Sequence, residues 1–217
     1  MNHATPHLSR RSAIRRLAGA AGIAGAASLG AKPLEARDLK GNLRHGASKW
    51  CYPDLSVREL AQAGKQMGME GIDLLGPEDW DAVTKEGLTV SLCNGPSSIQ
   101  EGFNRIENHE ELVPAFEERI EQVADAGFET LICFSGSKGD LTREEGIANC
   151  AEGLKEIMPA AEKHGVTIVM ELLNSKVDHP DYQCDHTRWG VDLVDAIGSD
   201  HFNLLYDIYH IQIMDAH

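Results

Sequence analysis

The 217-residue sequence predicts an α/β chain that supplies about the first six βα units of a (β/α)8 barrel. Three observations predict it. After residue 40, six short apolar runs alternate with stretches whose apolar residues recur at helical spacing, the pattern of a parallel sheet with right-handed helical crossovers. Neither GxGxxG nor GxxxxGKS/T follows any of these runs, which removes the usual mark of open dinucleotide-binding and P-loop sheets. Polar residues gather instead at the C-terminal ends of several different runs: Lys49 and Trp50, Asn94, Ser135, Glu171 and Asn174, Asp207 and His210. A barrel builds its site in that way, from the ends of many strands.

Residues 1–36 read as a signal and linker, not as part of the fold. Arg10-Arg11 and Arg15-Arg16 precede a weakly apolar, Ala/Gly-rich run from Leu17 to Ala31, which resembles a twin-arginine export signal, although Ala13 stands where that signal prefers an aromatic. The run is about fifteen residues long and rich in glycine, against the roughly 20 that a membrane span needs, so no stable span is expected. The expectation is delivery by the twin-arginine export machinery to the periplasm or cell exterior, with cleavage after Ala31 or Ala36.

Residues 37–217 carry the barrel elements. Strands are expected at Leu43–Ser48, Gly71–Leu75, Leu88–Cys93, Thr130–Phe134, Thr167–Leu173 and Phe202–Asp207. Ser56 and Glu59 form a capping box that opens a helix with Val57, Leu60, Ala61 and Met67 on one face. Leu112, Phe116, Ile120, Val123 and Ala124 make the next stripe, stopped by Gly127, with Pro114 early enough to be tolerated. A second capping box, Thr142 to Glu145, launches Ile147, Ala151, Leu154, Ile157, Met158 and Ala161, and Gly165 ends that helix. Val191, Val194 and Ile197 mark a shorter helix before the sixth strand. A barrel takes about 250 residues, whereas this sequence stops ten residues after the sixth strand, at a helix just begun. A fragment or truncated product is therefore expected, with strand edges left open at either end of a six-strand arc and homo-oligomerisation through them in view.

Charge narrows the partners. The chain has 20 Lys+Arg against 34 Asp+Glu; residues 1–36 hold five of the bases and one of the acids, leaving 15 against 33 for the domain. No basic stripe survives, so a nucleic-acid partner is not expected. Five cysteines without close CxxC pairing argue against a disulfide-built scaffold.

Two carboxylates carry the chemistry. Glu171 ends the apolar run Thr167-Ile-Val-Met, where an unpaired charge is costly in a barrel wall, and Asp207 repeats the pattern after Leu204-Leu-Tyr. Carboxylates at adjacent strand ends can converge on one hard divalent cation, and His210, three residues beyond Asp207, can reach the same mouth. A helix cap or ion pair is the plainer alternative for Glu171.

The segments Trp50–Tyr52, Gly71–Trp80, Gly102–His109, Met170–His179 and Tyr206–Met214 resemble the hydroxypyruvate isomerase family, within the xylose isomerase-like TIM barrel superfamily of sugar isomerases and epimerases. Glu171 and Asp207-x-x-His210 are the most specific parts. The resemblance implies that Glu171 and Asp207 ligate a divalent metal (Mg, Mn or Co), that Glu171 also transfers a proton, and that His210 approaches a substrate oxygen. The seventh and eighth strands would add a His or Gln ligand and a second Glu, both beyond this sequence. The implied reaction moves a proton between neighbouring carbons of a small hydroxy-carbonyl compound or sugar through an enediolate, hydroxypyruvate isomerisation being the leading case. Another sugar epimerase of the superfamily, an inactive or truncated exported sugar-binding protein and, less favoured by charge, a metal-dependent endonuclease are the alternatives.

Asn174 opens a polar loop with Asp178, His179, Tyr182, Asp185 and His186 that could close over substrate, and the two Asp-His pairs suggest a second metal pair. Trp50 is a candidate pocket wall or top-layer packing. His45 reads as a core or barrel-interior residue, His164 as a favourable charge at a helix C-terminus, and His109 carries no role.

Overall fold

The computed structural model describes residues 43–215, so the signal expected at residues 1–36 lies outside the described residues. Six strands, β1 (Gly46–Ser48), β2 (Gly71–Leu75), β3 (Thr89–Cys93), β4 (Thr130–Cys133), β5 (Thr167–Glu171) and β6 (Phe202–Leu205), form one parallel sheet in sequential order. The helices are α1 (Val57–Gln66), α2 (Pro77–Thr84), α3 (His109–Asp125), α4 (Arg143–His164), α5 (Thr187–Ile197) and α6 (Ile208–Met214). Strictly sequential parallel pairing with a helix in each crossover is the arrangement of the first six βα units of a TIM barrel.

Local sequence accounts for most boundaries. Both capping boxes form: the side-chain oxygens of Ser56 and Thr142 accept from the backbone N–H groups of Glu59 and Glu145, whose carboxylates accept in return from Ser56 N and Thr142 N at 2.8 Å each. Gly165 (φ 69°) ends α4 in the left-handed conformation that glycine adopts without penalty. Five strands are shorter than the sequence suggested, all but β2. β1 begins at Gly46, so His45 is exposed on the segment before it and is neither core nor barrel interior. β6 ends at Leu205, and Asp207 caps a helix two residues later. Helix α2 was not foreseen. It buries only Trp80 and Val83, too few positions for a stripe, but Pro77 in its first turn with Glu78 and Asp79 is a legible start.

The sheet has two apolar faces. Its outer face, including Ile72, Val90, Leu131, Ile168 and Phe202, packs under the helices against Leu60, Phe116, Ile120, Leu154, Ile157 and Leu193. Each such fully buried side chain contributes about 1.5–3 kcal/mol of transfer free energy. The inner face carries Leu92, Ile132 and Val169, with Leu74, Phe134 and Leu205 against them. Leu74 has φ 59°, at a bulge where the pairing slips from Asp73↔Leu92 to Leu75↔Cys93. Side chains alternate along a strand, so Glu171 shares the inner face with Val169 and stands at its C-terminal rim.

The five cysteines are free; Cys51 is exposed and the rest are buried, where desolvation raises the Cys93 thiol to about 12 and the others further. These buried thiols are packing groups. Among the described residues no helix is long and apolar enough to cross a membrane.

Candidate metal centre

Glu171, Asp207 and His210 each direct a ligand atom to one place, with those atoms all within 4.8 Å of one another. Glu171 arrives as the last residue of β5. Asp207 and His210 arrive through a helix start: Asp207 is the N-cap of α6, its Oδ1 accepting from Tyr209 N at 2.7 Å and His210 N at 3.3 Å. That capping geometry leaves Asp207 Oδ2 toward the mouth and puts His210 one turn along the same helix, Nε2 4.0 Å from Oδ2. The three-residue spacing is thus a consequence of the cap.

Electrostatics suit a cation. Burial, and then the Asp207 charge, push the Glu171 carboxyl up to about 7. Among the described residues, no hydrogen bond reaches that carboxyl and no ion pair compensates it. The Asp207 charge disfavours ionisation of Glu171, and a divalent ion between the two carboxylates reverses the balance. Oxygen donors beside an imidazole suit Mg, Mn or Co. The residues present form a candidate divalent-cation centre. Among the described residues, it is the only group of three or more such side chains drawn together in this way.

The loop after β5 supports the centre. Asn174 is fully buried. Its Nδ2 donates to His210 Nδ1 at 2.7 Å and to Asp178 Oδ2 at 2.6 Å, while its Oδ1 accepts from Val177 N and Asp178 N. Tyr209 Oη donates to the same Asp178 oxygen at 2.8 Å, and these two bonds hold Asp178 below the usual carboxylate range. Burial lowers the His210 imidazole against the pull of Asp207. His179 lies with its ring centre 5.3 Å from that of His210. Tyr182, 2% exposed, donates its hydroxyl to Glu171 O at 2.9 Å and accepts from Ser135 N at 3.1 Å, tying the ends of β5 and β4 together.

Other residues singled out by sequence fall elsewhere. The two Asp-His pairs do not assemble a second metal pair: Asp185 accepts from Ser175 Oγ, His186 is 2.7 Å from Asp215, and Asp178 is taken by Asn174 and Tyr209. Trp50 sits in the 3-10 turn Lys49–Cys51 with 72% of its surface exposed, which excludes top-layer packing among the described residues. His109 is a buried helix residue bonded to Phe103 O at 2.8 Å and packed beside the Phe103 ring. His164 stands in the last turn of α4, 3.8 Å from Glu121. The bracing by Tyr182 and Tyr209 is invisible to local pattern, because their partners Ser135, Glu171 and Asp178 lie 47, 11 and 31 positions away along the chain.

Residues 54–217 match the xylose isomerase-like TIM barrel family. An inosose isomerase of Bacillus velezensis is 27% identical over 109 residues, half of this chain and 38% of that protein. The chain therefore aligns with well under half the length of this curated relative. Among solved structures, a family 2 AP endonuclease from Brucella melitensis superposes with a TM-score of 0.68 at 23% identity, covering 79% of this chain and 71% of that one. D-psicose 3-epimerase of Clostridium cellulolyticum, with D-tagatose, gives 0.65 at 14% identity over 81% and 67%. At these identities the structural likeness is one of fold.

Proposed function

Because the chain belongs to the xylose isomerase-like TIM barrel family, we propose that it carries the fifth- and sixth-strand half of a divalent-metal-dependent sugar isomerase or epimerase site. The observation behind this reading is the convergence of Glu171, Asp207 and His210 within 4.8 Å at one mouth of the sheet. A bound divalent cation would polarise a substrate carbonyl and lower the cost of charge developing on its oxygen. Glu171 and Asp207 would hold it.

This chain's residues supply the rest. Glu171, with a carboxyl raised to about 7, is suited to take the proton from the carbon beside a carbonyl and to return it to the same or the neighbouring carbon. From its one face Glu171 can deliver the proton to the neighbouring carbon, which moves the carbonyl; inverting a centre takes a second proton donor on the opposite face of the substrate. His210 is placed to donate a hydrogen bond to the substrate oxygen on which charge accumulates. The oxidation level is redistributed within the substrate, so no redox cofactor enters.

A sugar or inosose-type substrate is favoured over hydroxypyruvate, a reading supported by the sequence match to an inosose isomerase over half of this chain. Hydroxypyruvate isomerisation is the narrower second reading, supported by the motif resemblance. The excess of 33 acids over 15 bases in residues 37–217 weighs against phosphodiester backbones as substrate. The twin-arginine pattern at Arg10–Arg16 supports an exported protein.

The test is incubation in D2O with Mn2+ and a panel of ketoses, inososes and hydroxypyruvate, followed by NMR of the substrate C–H positions. Cation-dependent exchange that disappears in Glu171→Gln is the expected result. Exchange that survives both chelation and Glu171→Gln defeats the reading.

A further inference from the structure

Asn174 has every hydrogen-bonding group committed. Its Oδ1 accepts from two backbone N–H groups, Val177 at 3.0 Å and Asp178 at 2.9 Å, so the amide cannot be turned over without facing donors with donors. The Nδ2 group then spends one hydrogen on Asp178 Oδ2 at 2.6 Å and the other on His210 Nδ1 at 2.7 Å. A hydrogen arriving at Nδ1 requires a lone pair there. Both an Nδ1–H imidazole and an imidazolium would set N–H against N–H at that distance. The ring therefore carries its proton on Nε2, the atom that faces the mouth 4.0 Å from Asp207 Oδ2.

We propose that Asn174 is a positioning residue that locks His210 in its Nε2–H form, making the imidazole a hydrogen-bond donor to substrate oxygen and not a ligand of the cation. An imidazole that ligates through Nε2 needs its proton on Nδ1, commonly handed to a carboxylate or carbonyl behind it. Here the group behind the ring is an amide N–H, which enforces the opposite state. Proximity alone groups His210 with the two carboxylates, and the hydrogen-bond pattern separates it from them. Asn174, with none of its surface exposed, touches no substrate and acts only through the ring. Asp178 and Tyr209 complete the device: Tyr209 Oη and Asn174 Nδ2 share one Asp178 oxygen, which keeps the amide from rotating away. The use made of the donor rests on the isomerase reading; the tautomer does not.

The experiment is long-range 1H–15N NMR of the metal-free full chain labelled at histidine, with the His210 signals identified by their loss in His210→Gln. The expected spectrum shows a protonated Nε2 and an unprotonated Nδ1 for His210, unchanged on titration with Zn2+, a cation that readily takes imidazole ligands. An Nδ1–H tautomer in the metal-free protein overturns the proposal, as does loss of the Nε2 proton with a coordination shift on adding Zn2+. Asn174→Asp replaces the donor behind the ring by an acceptor and is expected to move the proton to Nδ1; a folded variant that keeps Nε2–H overturns the proposal. If that variant does not fold, the wild-type spectrum decides alone. An Nε2–H ring in a protein that exchanges no substrate protons sinks the isomerase reading and leaves the tautomer lock standing.

Discussion

β5 is hydrogen-bonded along both edges, to β4 and β6, whereas β6 is paired, among the described residues, with β5 alone. The loop beyond Glu171 is fastened to the end of β4 by the Ser137↔Tyr182 bridge, by Gln183 N to Gly136 O, and by the Tyr182 hydroxyl between Ser135 N and Glu171 O. Asp207 and His210 sit on a seven-residue helix preceded by exposed Tyr206 and starting at exposed Ile208. That helix is gripped from one direction. Asn174 reaches His210, Asp178 receives Tyr209, Lys176 Nζ donates to the carbonyls of Ile213 and Met214, and His186 and Thr187 meet Asp215. Glu171 is thus placed by the sheet, and its partners by side chains of the loop that Glu171's own strand sends out. One loop registers both halves of the site.

Breaking the sheet side should cost most. Tyr182→Phe leaves Ser135 N and Glu171 O without their shared partner in a buried place, and a loss of about 2–4 kcal/mol is expected in denaturant unfolding. The amide of Ser135 should also gain hydrogen exchange. On the helix side, Asp207→Ala removes the α6 N-cap and should cost about 1 kcal/mol, with faster exchange confined to α6. Asp207→Ser sharpens the contrast: it should recover most of that stability, because serine also caps, yet fail to recover cation binding measured by calorimetry. Equal cation affinity in Asp207→Ser and wild type would remove Asp207 from the centre.

A third lever is pH. In the folded, metal-free protein the Glu171 carboxyl holds its proton up to about 7, against an ordinary value of 4.5. The folded state therefore binds more protons between those values, and this group's contribution to stability falls as pH rises through the window. Thermal unfolding should show a smaller decline from pH 4.5 to 7 in Glu171→Gln than in wild type, and Mn2+ should raise the wild-type Tm more at pH 8 than at pH 5.5. A cation effect that is larger at the acidic end would contradict the assignment. The smallest effect belongs to Lys176→Ala, about 0.5 kcal/mol, since it removes only an exposed lysine from the carbonyl end of α6. Loss of exchange protection at Ile213 and Met214, without change at β5, is the signature to seek.

Much of this arrangement was legible before folding was considered. Capping boxes at Ser56 and Thr142, the glycine stops and the apolar alternation are signals contained within one or two turns of chain, and they formed, except that Met67 and Val191, expected on apolar faces, are exposed. Glu171 and Asp207 were visible because a carboxylate at the end of an apolar run needs a partner. What could not be read was how such residues meet. Asn174 and His210 are 36 positions apart, and Ser135 and Tyr182 are 47, so no local pattern announces them. Asn174 invited a substrate-binding role from its place in a polar loop, whereas its complete burial gives it a neighbour to hold. Asp207 looked like a strand end, because the run before it is apolar, when its side chain in fact starts a helix.

The capping role of Asp207 has a consequence for which sequences can occupy this fold. One carboxylate oxygen ends the backbone of α6, and the other faces the mouth. Serine, threonine or asparagine could keep the first duty but would surrender the charge. Glutamate would keep the charge, but its extra methylene carries the carboxylate past the cap. Aspartate alone among the twenty residues combines the short reach with the negative oxygen, so the position tolerates no conservative exchange. Drift along this segment should accordingly be found in Tyr206 and Ile208 on either side, which keep most of their surface exposed among the described residues.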